Sequence, residues 1–245
     1  MLKVNNLSKK FGGVRAVNDC SFEIERDKIT ALIGPNGSGK TTIFNLISGV
    51  IKSDLGKIFL DNEEITDLSV DKISNLGISR VFQQERLFKN LTVAENLLLA
   101  IDNEDTKLWK NIFGLNKITR EKKGKIHKIL KEFNILEIKN KTAKKLSFGQ
   151  KRLVELAPTV LNPHKLLMLD EPVAGVNPKI KKDIAKFLLG LKKQKRTILL
   201  IEHDMLFAFS VADVIIVMDA GRVIAKGSPD EIKNNKEVLE AYLGY

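Results

Sequence analysis

Gly34-Pro35-Asn36-Gly37-Ser38-Gly39-Lys40-Thr41-Thr42 follows directly on the apolar run Ile29 to Ile33, so a glycine-rich loop joins a buried strand to a helix. Gly34, Gly37 and Gly39 let the backbone bend until successive N–H groups point inward. Together with the dipole at the start of the following helix, those groups can hold a polyphosphate. Lys40 adds a point charge for the outer phosphates. Thr41 offers a hydroxyl where a Mg2+ ion bridging those phosphates needs a ligand, and Thr42 can add a donor. Pro35, Asn36 and Ser38 complete the loop. The expected ligand is a nucleoside triphosphate with magnesium. Ile43, Leu46, Ile47 and Val50 fall at helical spacing, giving the helix one apolar stripe.

Many chemistries use such a loop, and three downstream stretches narrow the choice. Leu146-Ser147-Phe148-Gly149-Gln150 opens a helix: Ser147 is placed to cap it and Gln150 to complete a capping box. A helix start carrying a hydroxyl is a second anion site. Leu166 to Leu169 then form a buried strand that ends in Asp170 and Glu171. Asp170 is expected to hold magnesium, and Glu171 to polarise a water attacking the terminal phosphate. After the strand Thr197 to Ile201 comes Glu202-His203-Asp204. His203, at a strand's carboxyl end, can donate to a terminal phosphate.

This ordered set resembles the nucleotide-binding subunit of ABC transporters over nearly the whole chain. The resemblance implies an α/β fold: a P-loop NTPase core with a mixed sheet, an antiparallel β lobe and a helical lobe ending in the signature Leu146 to Gln150. The core is expected over 1–84 and 157–245 and the helical lobe over 85–156. The resemblance also makes Gln83 a magnesium and coupling glutamine, places Phe11 where an aromatic stacks on adenine, and makes Ala174 to Asn177 a loop that speaks across a dimer. In this scheme two subunits, identical or paralogous, face each other head to tail around two ATP molecules. One offers Lys40, Thr41, Gln83, Asp170, Glu171 and His203. The other contributes Ser147, Gly149 and Gln150 in trans.

Phe148 stands where the commonest family form has glycine, Asn177 replaces an aspartate, and Pro158 is expected to kink or end the helix begun at Ser147. Arg80-Val81-Phe82-Gln83, Arg86-Leu87-Phe88, Ala174 to Pro178 and Ala241-Tyr242-Leu243-Gly244 look like the ATP-binding subunit of branched-chain amino acid importers. Lipopolysaccharide-export and urea-import ATPases are similar, and soluble ABC-type ATPases form the alternative class. Against that class, the chain has neither sustained heptads nor a second cassette. In a transporter the expected partners are integral membrane subunits, docked beside Glu85 to Phe88, with no direct cargo contact.

Composition reads as that of an ordinary cytosolic protein, so any membrane role is expected to come through a partner; the resemblance implies a place at the inner face of the cell membrane through such partners. No apolar run approaches the roughly 20 residues a membrane span needs, and the one cysteine, Cys20, alternates with Phe22 and Ile24 as a core residue does. The formal net charge is +11, and residues 116–145 carry 11 Lys or Arg against Glu121, Glu132 and Glu137. Ile126, Ile129, Leu130 and Phe133 recur there at helical spacing, which reads as a solvated helix face, with anionic lipid as the sharper alternative. Few aromatics interleave these charges, so nucleic acid is not expected.

Overall fold

The structure is a computed structural model and describes residues 1–81, 87–102, 119–160 and 164–243. The chain falls into two units: Met1–Phe82 with His164–Pro172 and Leu188–Tyr245, and Gln83–Pro163 with Val173–Phe187.

In the first unit, β1 (Leu2–Phe11), β2 (Val14–Ile24), β4 (Leu55–Leu60) and β5 (Glu63–Glu64) form an antiparallel sheet in the order β2-β1-β4-β5. Alternating residues mark strands over Leu2 to Leu7 and Asp19 to Glu25 in the sequence; β1 and β2 run longer because each absorbs an irregularity. Asn6 and Asp19 take positive φ, and the Asn6 side-chain amide donates to Asp19 across the strands at 2.8 Å. Cys20 is buried here. Burial, with Asp19 beside it, pushes its thiol up to about 12, so the group stays protonated and inert.

The second sheet sets the site. It runs β10-β9-β3-β8-β7-β6, with β3 (Ile29–Ile33), β6 (Ile78–Val81), β7 (Leu166–Asp170), β8 (Thr197–Ile201) and β9 (Val214–Asp219) parallel and β10 (Arg222–Gly227) antiparallel at the edge. Every residue of β3, β7 and β8 is buried, which is why these strands read as unbroken apolar runs. Because β3, β8 and β7 are neighbours, the residues following them emerge side by side at the carboxyl edge, where open parallel sheets bind ligands. Helix α1 (Lys40–Ile47) packs Ile43, Phe44, Leu46 and Ile47 inward. Val50 lies beyond its end and is 46% exposed, so the apolar stripe is one residue shorter than its spacing suggests. Short α2 (Val70–Asn75) precedes β6.

In the second unit, α3 (Val93–Asp102) begins with a capping box: the Glu95 carboxylate accepts from the Thr92 N–H at 2.7 Å, and Thr92 Oγ1 accepts from the Glu95 N–H at 3.2 Å. Helix α4 (Arg120–Glu132) buries Ile126, Ile129 and Leu130 and leaves its lysines toward solvent, the amphipathic arrangement its periodicity predicts. The Phe133 and Phe187 rings pack with centroids 4.0 Å apart. Helix α5 (Phe148–Leu156) stops before Pro158 and gives way to a 3-10 turn, Ala157–Val160, where the Thr159 hydroxyl donates to the Leu156 carbonyl at 2.7 Å. Proline has no N–H for the helical ladder, and this hydroxyl satisfies a carbonyl at the helix end.

Helix α6 (Pro178–Lys193) follows the Ala174–Asn177 loop, and α7 (Met205–Val211), α8 (Pro229–Lys233) and α9 (Lys236–Leu243) complete the chain. The sequence reads as a single C-terminal helix from about Asp230, and the structure divides that stretch into two short ones, Pro229–Lys233 and Lys236–Leu243. Among the described residues no helix is long and apolar enough to cross a membrane.

Candidate nucleotide site

The loop after β3 is shaped by close backbone approaches. A Cβ on Gly34 would stand 2.1 Å from the Met218 carbonyl oxygen, and one on Gly39 2.3 Å from that of Ala16. Gly37, with φ +82°, has nothing within 4 Å of such an atom and is exposed. The loop is thus anchored at both ends and open at its crest. The Lys40 ammonium donates to the carbonyls of Gly34 and Pro35, each at 2.8 Å, and to Ser38 Oγ at 3.3 Å. Burial lowers its pKa, and the negative charge of Glu171 opposes that shift. The ammonium therefore waits across the mouth of the loop. Thr41 is exposed and Thr42 half-buried at the start of α1.

Two strands away, β7 delivers Asp170, 7% exposed, and then Glu171. Glu171 takes φ +46°, a left-handed conformation rare for a residue with a side chain, while its N–H still bonds the Ile201 carbonyl at 3.1 Å. Strained backbone of this kind concentrates at working sites. His203 follows β8, and its Nδ1 lies 3.6 Å from Glu171 Oε2. The next residue, Asp204, caps α7 by accepting from the Phe207 N–H at 3.0 Å, which fixes the direction in which the chain leaves His203. The structure thus gathers Lys40, Thr41, Asp170, Glu171 and His203 along one sheet edge. Gln83 lies outside the described residues, as do Glu85 and Arg86 of the expected docking segment. Thr41 and Asp170 are hard oxygen donors of the kind Mg2+ takes together with phosphate oxygens, so the residues present fit that ion.

Phe11 ends β1 with 49% of its surface exposed, and the Lys9 ammonium sits 5.7 Å from its ring centroid. It is available as a stacking face and is not a core residue.

In the second unit, the signature start is a complete capping box. Ser147 Oγ accepts from the Gln150 N–H at 3.3 Å, and the Gln150 side-chain oxygen accepts from the Ser147 N–H at 3.1 Å. An oxygen that accepts in this way keeps its own hydrogen free to donate to an anion. Replacing Ser147 by Ala should cost about 1 kcal/mol, measured as a lower urea midpoint with unchanged slope. Phe148 is 54% exposed and leans on its own chain: a Cβ on Gly175 would meet its ring at 3.2 Å. Gly149 comes so near α6 that a Cβ there would lie 2.7 Å from Ile180 Cγ1. Asn177 Oδ1 accepts from the Ile180 N–H at 3.0 Å, capping α6 as an aspartate would.

Three residues escaped sequence reading. Arg80 pairs with Asp170 at 3.0 Å; a charge inside the short strand Ile78–Val81 was its one signal. Asn45, on α1, accepts from that same Arg80. Tyr242, on α9, brings a buried hydroxyl beside the backbone of Gly34, and burial pushes its pKa up to about 12. Only the fold reveals that neighbour.

Comparison with known proteins places this arrangement. The ABC transporter family model matches residues 17–174, and that of the branched-chain amino acid ATP-binding cassette transporter matches residues 222–245. The chain is 39% identical over 249 residues to the high-affinity branched-chain amino acid transport ATP-binding protein BraF of Pseudomonas aeruginosa, and 38% identical to LivG of Escherichia coli K12. Each match covers 100% of this chain and 98% of the relative. Among solved structures, an ATP-binding cassette of an ABC transporter in its ADP conformation superposes with a TM-score of 0.86 at 32% identity, covering 100% of this chain and 99% of that one. A dimeric, post-hydrolysis cassette bound to ADP and Pi gives 0.78 at 25% identity, covering 94% and 99%. A phosphate loop and two carboxylates at one sheet edge, in a chain alike from end to end to such proteins, leave a single conclusion: it belongs to the ABC transporter family of ATP-binding, ATP-hydrolysing cassettes.

Proposed function

We propose that the chain is the ATP-binding subunit of an importer of branched-chain amino acids, bound through membrane subunits to the inner face of the cell membrane. The observation that carries this reading is the likeness at residues 222–245, which adds a transporter-specific end to a general cassette.

In this reading the loop Gly34–Thr42 receives the phosphates of ATP, and Lys40 exchanges its bonds to Gly34, Pro35 and Ser38 for bonds to the outer phosphates. Phe11 stacks on the adenine. Thr41, Asp170 and Gln83 would hold Mg2+, which would supply positive charge to offset that of the phosphates. Glu171 accepts the proton of the attacking water, and His203 donates to the terminal phosphate and steadies the Glu171 carboxylate beside it. A second like subunit supplies Ser147, Gly149 and Gln150 to complete the site. Chemistry of this kind is mostly positioning and charge stabilisation, so making and breaking the pair can be passed to the membrane subunits. The segment Glu85–Phe88 is the proposed contact, with Phe88 60% exposed. The core over 1–84 and 157–245 and the helical lobe over 85–156 remain the proposed functional division.

Affinity purification of Glu171→Gln protein with ATP from detergent-solubilised membranes tests the assignment. Polytopic membrane subunits and a second similar ATPase are expected, and their reconstitution in vesicles should give ATP-driven uptake of leucine, isoleucine or valine. Uptake of urea instead, or export of lipopolysaccharide, would reassign the cargo. Recovery of ribosomes, DNA or soluble proteins alone would overturn the transporter reading.

A further inference from the structure

Arg80 occupies the third position of β6, and each end of its guanidinium is engaged by a different element. Nη2 donates to Asp170 Oδ2, at the end of β7, at 3.0 Å. Nη1 donates to Asn45 Oδ1 at 2.7 Å and to Ser48 Oγ at 2.9 Å, the first on α1 and the second just past it. The guanidinium carbon stands 5.5 Å from the Phe44 ring centroid, also on α1. Ser48 is itself fixed, its hydroxyl donating to the Phe44 carbonyl at 2.7 Å. The Arg80 and Asp170 side chains are 7% and 9% exposed, so solvent screens this pair little.

These contacts tie β6 to the two elements that carry the described candidates for the metal. Thr41 belongs to α1, and Asp170 ends β7. We infer that Arg80 is a positioning residue for the metal carboxylate. By holding one oxygen of Asp170 while gripping α1 with its other end, it sets the separation of Asp170 and Thr41 and makes that separation depend on where β6 lies. This rests on Asp170 being the metal carboxylate. The planar fork of arginine suits the task, because one nitrogen reaches the carboxylate while the other reaches two further acceptors. A lysine keeps the charge as a single point and cannot span both sides. Partners that support a ligand without touching the ion typically govern metal affinity by about 10–100-fold.

The test titrates Mg2+ against the full-length protein with a fluorescent N-methylanthraniloyl ADP, following fluorescence and not turnover. Arg80→Lys is expected to bind the nucleotide in EDTA within about two-fold of wild type, and to need about 10–100-fold more Mg2+ for its half-maximal Mg2+-dependent change. Asn45→Ala, which leaves the charge pair and loosens the far grip, should shift that midpoint in the same direction by a smaller factor. It keeps the inference testable should the Arg80 variant fold poorly. Unchanged Mg2+ midpoints in both variants, with only thermal stability lost, would reduce Arg80 to a core ion pair and overturn the proposal. Asp170→Asn separates the two levels. A lost Mg2+ response there with a normal one in Arg80→Lys sinks the positioning role alone, whereas a normal response in Asp170→Asn sinks the metal assignment and the proposal with it.

Discussion

Glu171→Gln protein should hydrolyse ATP about 10²–10⁴-fold more slowly than wild type, the range that loss of a positioned proton acceptor spans. It should bind the nucleotide as tightly. Glutamine matches glutamate in shape, and the Glu171 main chain is already pinned by its bond to the Ile201 carbonyl, so the loop geometry survives. What disappears is an oxygen able to take a proton, and with it the partner of His203 Nδ1, 3.6 Å away. Single-turnover hydrolysis of radiolabelled ATP, paired with equilibrium binding of a fluorescent analogue, separates the two effects. Size-exclusion chromatography with ATP should show the variant accumulating as a dimer. A rate within tenfold of wild type would move the base to another residue.

The second large effect belongs to the phosphate loop and is a contrast between two glycines. Gly37→Ala should cost about 1–2 kcal/mol, the strain of a side chain at left-handed φ, because a Cβ there meets nothing within 4 Å. Gly39→Ala meets the same kind of strain at φ +100° and also drives a Cβ to 2.3 Å from the Ala16 carbonyl oxygen, an atom of the backbone that no rotamer change can move. Its cost should be about 3 kcal/mol or more, with nucleotide binding lost because Lys40 follows immediately. Urea denaturation and nucleotide titration of the two variants check the ordering. Equal losses would mean that the contact with Ala16 contributes nothing.

How legible a feature is in the sequence follows from how local its cause is. The loop Gly34–Thr42, the strands Leu166–Asp170 and Thr197–Ile201 and the capping box at Ser147 are readable because each rests on residues within a few positions of one another. The reach of β1 and β2 is not. Their continuation depends on a cross-strand bond between Asn6 and Asp19, and polar residues at bulges interrupt the alternation that marks a strand. The clamp at Arg80 lies further out of reach: its partners stand at 45, 48 and 170, and only the order β7-β6 brings them together. Tyr242 beside Gly34 is hidden for the same reason. At Phe148 the family pattern marks only a departure from glycine. That its ring leans on a glycine 27 positions later in its own chain is a matter of packing between distant segments.

That last contact sets a rule for exchanging parts between cassettes. The ring of Phe148 rests where any side chain at position 175 would stand, and Gly149 leaves no room between its own helix and Ile180. Signature start and following loop are therefore cut to each other's shape. A graft carrying the aromatic signature into a cassette whose loop has a larger residue at the place of Gly175 would collide with it. A graft of the loop alone would leave the ring without its seat. The segments 147–150 and 174–180 have to travel as one cassette within the cassette.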